Sequence, residues 1–204
     1  VRASMDLEDV AVNLPVLATD TPLEGPVQPA PPMRMSRVNG SIKVDRNGAS
    51  ADLNGQLEDL PYKVKLSYGG TTTDAPFTCD FECENFTIEE KPQILRFVPP
   101  MVRYRLATFS NPTAVVRAKA HVTRAAPVNS TPGEVKVSGT LDFHDGVAAY
   151  ERFPYQFREL AGSVRFDENT IDILRVEGVS PSGARVKAHV HISPLTDDAG
   201  VDVF

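Results

Sequence analysis

Between Glu134 and Ser193 the chain alternates apolar with polar residues almost without a break, and this period of two limits what it can fold into more than any other feature. Val135, Val137, Leu141 and Phe143 fall on one side of a first run, Val164 and Phe166 on one side of a second. Ile171 and Ile173 do the same in a third, and Ala184, Val186, Ala188, Val190 and Ile192 in a fourth. Such alternation marks strands with one buried and one wetted face. Residues with turn chemistry separate the runs: His144-Asp145-Gly146, Asp167-Glu168-Asn169 and Ser180-Pro181-Ser182-Gly183. The stretch therefore reads as an antiparallel meander with an apolar face that something must cover.

The meander also repeats. Gly139-Thr140-Leu141-Asp142-Phe143-His144 matches Gly162-Ser163-Val164-Arg165-Phe166-Asp167, and both match Gly40-Ser41-Ile42-Lys43-Val44-Asp45. A second pair runs Leu57-Glu58-Asp59-Leu60-Pro61-Tyr62 and Tyr150-Glu151-Arg152-Phe153-Pro154-Tyr155. The spacing is uneven, so this is a loose repeat of one strand–turn–strand unit, as in an elongated stacked sheet.

Bulk properties narrow the function classes. The chain has 204 residues, 41% of them hydrophobic, with no Trp and a net charge of −6. That charge carries no nucleic-acid footprint, and no apolar run approaches the length of a membrane span. The chain opens on Val1-Arg2-Ala3-Ser4 and stops at Val201-Asp202-Val203-Phe204 inside an apparent strand. It reads as a segment of a longer protein, with any anchor or export signal outside it. Cys79 and Cys83 stand four residues apart; in extended chain that is about 13 Å, beyond disulfide reach. They read as two strand residues on one face.

In chain order, residues 1–14 read as the end of a preceding β unit. Residues 15–32 carry many prolines and read as a linker or loop, the PxxP-ligand reading being the weaker one. Residues 33–90 form a β-repeat unit with strands expected at 36–45, 49–57, 62–68 and 77–88, the first two joined by a hairpin at Asn47-Gly48. Residues 91–110 break the rhythm. Pro92 and Pro100 suit first-turn positions of two short helices near 92–107. This helical interruption reads as a cap on the sheet in preference to a lid or a basic membrane-contacting face, because each helix is too short to stand alone. Phe109-Ser110-Asn111-Pro112 reads as a turn, and residues 111–204 as a second β-repeat unit, with Val116, Ala118, Ala120 and Val122 on one face.

No catalytic set emerges. His189 and His191 form an H-x-H pair, but Arg185 and Lys187 share their face and repel cations. His121 and His144 are isolated on polar sides of strands, no serine has a nucleophile-elbow context, and no phosphate-binding glycine loop is present. The Asn85-Phe86-Thr87 and Asn129-Ser130-Thr131 triplets fit the glycosylation pattern but carry no argument. The chain reads as a non-enzyme without a cofactor or metal.

Phe109-Ser110-Asn111-Pro112, the strand ending in Thr123-Arg124, Tyr150 to Tyr155, and Leu160-Ala161-Gly162-Ser163-Val164 together resemble the AsmA-like proteins, TamB-like members included. Leu174 to Gly178 followed by Ala184 to Val190 resembles their closing strand pair, and the interruption between Ile94 and Leu106 fits as well. The likeness is best over 90–204, most of all to the large planctomycete-type members. It implies an all-β fold, an elongated, twisted antiparallel sheet forming a repeating β-groove. It also implies an inner-membrane anchor outside this segment, a periplasmic location, and phospholipid as partner in outer-membrane lipid homeostasis. The family has no catalytic residues to transfer. Carried over as groove-lining candidates are Val116, Ala118, Val122, Val135, Val137, Leu141, Phe143, Val164, Phe166, Ile171, Ile173, Val186, Val190 and Ile192. The competing reading is a closed β-sandwich module of the cell envelope, and a β-rich hydrolase is a third.

Overall fold

A computed structural model describes residues 2–14, 33–57, 59–87, 109–129, 131–150, 153–194 and 200–203. Eleven strands make a single antiparallel sheet in which spatial order equals chain order. They are β1 (Arg2–Leu14), β2 (Met33–Asp45), β3 (Gly48–Leu57), β4 (Leu60–Tyr68), β5 (Phe77–Thr87), β6 (Phe109–Arg124), β7 (Val135–Tyr150), β8 (Phe153–Phe166), β9 (Ile171–Val179), β10 (Arg185–Ser193) and β11 (Gly200–Val203). β1 and β11 are the open edges. The expected all-β antiparallel sheet is thus present, and no helix occurs among the described residues. The helical interruption near 92–107 and the linker at 15–32 lie outside them.

The repeat units run through as one sheet. Residues 2–14 form its edge strand β1, with Met5 opposite Ile42 and Ala3 opposite Val44. β5 pairs with β6 from Phe77–Arg124 to Thr87–Val115, which joins the strands of 33–90 to those of 111–204. The described strands do not form the two facing sheets of the competing sandwich reading.

Two expected turns lie inside strands. His144-Asp145-Gly146 sits within β7, at a register shift between Phe143 and Gly146, with Asp145 at φ 53°. Phe109–Pro112 opens β6, and Pro112 falls where the register shifts between Ser110 and Thr113, so no ladder donor is missed there. The other turns are where their chemistry puts them. Asp45 is opposite Gly48 across a two-residue loop, with Gly48 at φ 146°. The Asp167 carboxylate accepts from the amides of Asn169 and Thr170, each at 2.8 Å. The Ser180 carbonyl accepts from the Gly183 amide at 2.9 Å.

The bulge in β7 is one of a set. Asp9, Arg37, Asn85, Asp145, Glu159 and Arg175 all have φ between 50° and 54°, and each stands at a register break in its strand. One extra residue bends a strand and sharpens its twist. All six breaks fall toward the end of the sheet where β3 turns into β4, β7 into β8 and β9 into β10. They line up along one end of the sheet. Asn and Asp tolerate this left-handed backbone; Arg and Glu do so at roughly 1–2 kcal/mol each.

The sequence repeat has a structural cause. Two copies of Gly-x-x-x-Phe, laid antiparallel, place Gly139 opposite Phe166 and Phe143 opposite Gly162. Each ring lies over the facing glycine: a Cβ on Gly139 would sit 2.6 Å from Phe166 Cζ, and one on Gly162 would sit 2.8 Å from Phe143 Cζ. The second repeated segment marks the other hairpin type, with Leu57 opposite Leu60 and Tyr150 opposite Phe153.

Gly162→Ala is expected to destabilise the sheet by about 1–3 kcal/mol through overpacking against the Phe143 ring. Phe143→Leu, itself costly as a single change, is expected to recover part of that loss when added to Gly162→Ala. Equilibrium denaturation of the two single variants and the double variant measures this coupling.

Candidate functional site

Directly opposed residues of antiparallel strands share a face, so register alone locates the apolar surface. One transverse row runs Leu7, Gly40, Leu53, Val64, Phe81, Ala120, Gly139, Phe166, Ile171, Ile192 and Val201, one residue from each of the eleven strands. The next runs Gly55, Tyr62, Cys83, Ala118, Leu141, Val164, Ile173, Val190 and Val203. All fourteen residues expected on the apolar side stand on this face. Val116 and Phe143 form one cross-strand pair and Val122 and Val137 another; Val135 faces Arg124, and Val186 faces Gly178.

The middle of the face is buried and its margins are open. Phe166, Ile171 and Ile192 are 5%, 3% and 6% exposed and pack with Val137, Leu141, Val164, Ile173 and Val190. A second cluster joins Leu57, Leu60, Tyr62, Cys83, Phe86, Ala114 and Val116, and Leu141 and Phe143 pack against it. Leu141 touches both clusters, so the two are continuous. Burying one such side chain is worth about 1.5–3 kcal/mol. Met5, Val44, Val135 and Val186 are exposed.

The candidates chosen from the sequence all lie in β6–β10, yet the face extends equally over β2–β5. Leu53, Val64 and Phe81 continue the row, and Tyr62 stacks on Phe81 with ring centroids 6.2 Å apart. The alternation of Tyr62-Lys63-Val64-Lys65-Leu66 carried the same signal. Cys79 and Cys83 lie on this face, as expected, and neither is in a disulfide. Burial raises both thiols, Cys83 to about 11, and burial also raises the Tyr62 phenol. These three groups are neutral near pH 7.

Among the described residues, one charge stands in the ladder rows of this face. Arg124, opposite Phe77 and Val135, turns its guanidinium onto the loop between β4 and β5. It donates to the Ala75 carbonyl at 2.6 and 3.0 Å and to the Thr73 carbonyl at 2.7 Å, and it lies 5.0 Å over the Phe77 ring. Tyr68 stacks on Phe77 and donates its hydroxyl to the Thr72 carbonyl at 2.5 Å. The guanidinium thereby fastens a folded loop to the rim of the apolar surface, donating from Nε and Nη2 to backbone oxygens and from Nη2 to the Tyr68 hydroxyl as well.

The opposite face is ionic. Arg117 pairs with Glu82 at 2.5 Å and Glu84 at 2.8 Å, Lys119 with Glu82 at 3.2 Å, and Lys187 with Glu177 at 2.8 Å. Hydrogen bonds from Arg117 and Lys119 hold Glu82 below the usual carboxylate range, and one from Lys187 does the same for Glu177. The histidines lie here too: His121 is 2.6 Å from Asp80, His144 2.8 Å from Asp145 and His191 2.5 Å from Asp172. No group of three His, Cys, Asp or Glu side chains able to hold a metal occurs among the described residues. No helix among them is long and apolar enough to cross a membrane.

Two outcomes test this account. Arg124→Ala is expected to lower stability by about 2–4 kcal/mol, since it removes several charged hydrogen bonds to backbone at once. It is also expected to speed amide exchange at Gly69 and Ala75, read by hydrogen–deuterium exchange. The Cys83 thiol is protonated more firmly in the fold than in the unfolded chain. Its contribution is full below the ordinary thiol value and is lost as pH rises through about 11. Alkaline denaturation is therefore expected to begin in that window and to be weaker in Cys83→Ala measured against its own neutral-pH stability.

No protein-family model, curated protein or solved structure matches this chain.

Proposed function

We propose that this chain is a segment of a bacterial envelope protein that binds phospholipid acyl chains along its apolar face and lets them pass along it. The observation that carries the reading is the transverse apolar row, which crosses all eleven strands in unbroken register with no second layer of strands over it among the described residues. Strands lie about 4.8 Å apart, so ten intervals give a surface roughly 48 Å long. That exceeds the ~30 Å hydrocarbon thickness of a bilayer, which is room for acyl chains laid end to end. Each methylene moved from water onto the face is worth about 0.8 kcal/mol, so ten supply about 8 kcal/mol with no specific recognition residue.

The resemblance to AsmA-like proteins supplies the setting of this proposal: the segment stands in the periplasm, held by an inner-membrane anchor outside it, and serves outer-membrane lipid homeostasis. A second reading, a spacer or binding module that carries no lipid, draws support from the self-packed cluster of Phe166, Ile171 and Ile192.

The test is photo-crosslinking in cells, with native mass spectrometry of the purified segment. Phe166 and Phe143 are too closely packed to carry a probe without disturbing the sheet, so the probes belong at the exposed Val44, Val135 and Val186, with Lys187 as the control on the ionic face. Phospholipid recovered at the first three and not at Lys187 is the expected outcome. A folded segment with no lipid adduct at any of them selects the spacer reading.

A further inference from the structure

On the ionic face, the strands from β4 to β9 line a cavity of about 640 Å³. Four carboxylates line it and all are engaged. Asp80 is in hydrogen-bond contact with His121 and Asp172 with His191, and Glu82 is ion-paired with Arg117 and Lys119. Asp167 accepts from the amides of its own turn. Of the cations of the wall, Lys65 reaches Asp52 at 3.7 Å, but the others are not matched in the same way. Arg165 stands directly opposite Asp172, yet that carboxylate is paired to His191, and Arg165 has no carboxylate within ion-pair distance among the described residues. Lys119 uses one of its three donors on Glu82.

Register places these groups around one spot. Lys119, Thr140 and Arg165 stand in one row on β6, β7 and β8, and His121 and Ser138 stand side by side in the next row on the same face. With two strand intervals between them, Lys119 and Arg165 flank the two hydroxyls at a backbone separation of roughly 10 Å. The centre of the patch is thus hydroxyl donors, with a cation on either side. A guanidinium offers two parallel donors that fit two oxygens of one oxyanion, and an ammonium acts as a point charge opposite it. A planar carboxylate has two oxygens to meet such donors, whereas a tetrahedral phosphate has three or four and can use both flanks together.

We propose that Lys119, His121, Ser138, Thr140 and Arg165 form a phosphate-binding site on the ionic face. This site is separate from the apolar surface and does not depend on the acyl-chain reading. The phosphate is that of a soluble phosphate ester or of a lipid headgroup. The site is open and its charge is partly offset by the neighbouring carboxylates, so its affinity is modest and falls as salt rises.

The experiment uses the whole 204-residue chain with two probes, inorganic phosphate and phosphatidylglycerol vesicles. Saturable shifts of the Lys119, Thr140 and Arg165 backbone amides with phosphate are the expected NMR result. Arg165→Ala is expected to weaken them at least tenfold, Arg165→Lys less, and Lys187→Ala not at all. Arg165 is exposed, so its variants are expected to keep the wild-type thermal midpoint, which is measured alongside. Phosphate shifts without vesicle binding assign the site to soluble esters. Vesicle sedimentation that depends on Arg165, without shifts from free phosphate, assigns it to headgroups. The proposal is overturned if neither probe gives a response that Arg165→Ala weakens.

Discussion

Register is the constraint on which the rest of this molecule depends. In a strand, a slip of one residue moves every side chain to the other face. Across ten strand junctions, then, one misplaced pairing would put lysines beneath the sheet and valines above it. The apolar row holds its course from Leu7 to Val201 because each slip would bury a charge. The reciprocal fit of Gly139 with Phe166 and of Phe143 with Gly162 adds a steric lock at the centre, since either ring fits only where the facing residue lacks a Cβ.

The ionic face supports the same register by different means. Arg117, Lys119 and Lys187 meet acidic residues on neighbouring strands, and such exposed pairs contribute about 0–1 kcal/mol each. They discriminate between pairings more than they stabilise the right one. Stability comes from burial in the two clusters that meet at Leu141. Each of the six bulges inserts one residue into a strand that would otherwise stay regular, and an inserted residue bends its strand locally.

Much of this was legible in the sequence. Alternation from Val135 to Ile192 identified strands and the residues that share a face, because period two has no other common structural cause. Asn47-Gly48 and Asp167-Glu168-Asn169 marked true turns. His144-Asp145-Gly146 did not, and the reason is chemical. A turn and a bulge both need a residue that accepts the left-handed backbone, so Asp145 reads the same in either, and only the pairing of Gly146 with Leu160 separates them. Pro112 misled in a similar way, since a proline that breaks a regular ladder is harmless at a register shift. The placement of Arg124 was not legible at all. Its partners Thr73 and Ala75 come from a loop about 50 residues away, and nothing in Thr123-Arg124 announces them. The cations left over on the ionic face were equally hidden, because Arg165 and Asp172 look like a pair until His191 is seen to hold the carboxylate.

The identity of spatial and chain order also shapes how the molecule is made. Every strand pairs with its nearest neighbours along the chain, so most pairings close short loops, and loop-closure entropy grows only slowly with length. Contacts this local favour fast assembly for a β protein, which more often waits on distant partners. A growing chain can add each strand to the edge left by the one before, and the apolar face lengthens in step with synthesis. The leading edge at any moment is an unpaired strand, the usual template for association with a neighbouring chain. From β2 to β10 that edge is covered by the next strand to emerge, so for these strands the hazard lasts only as long as the interval between one hairpin and the next.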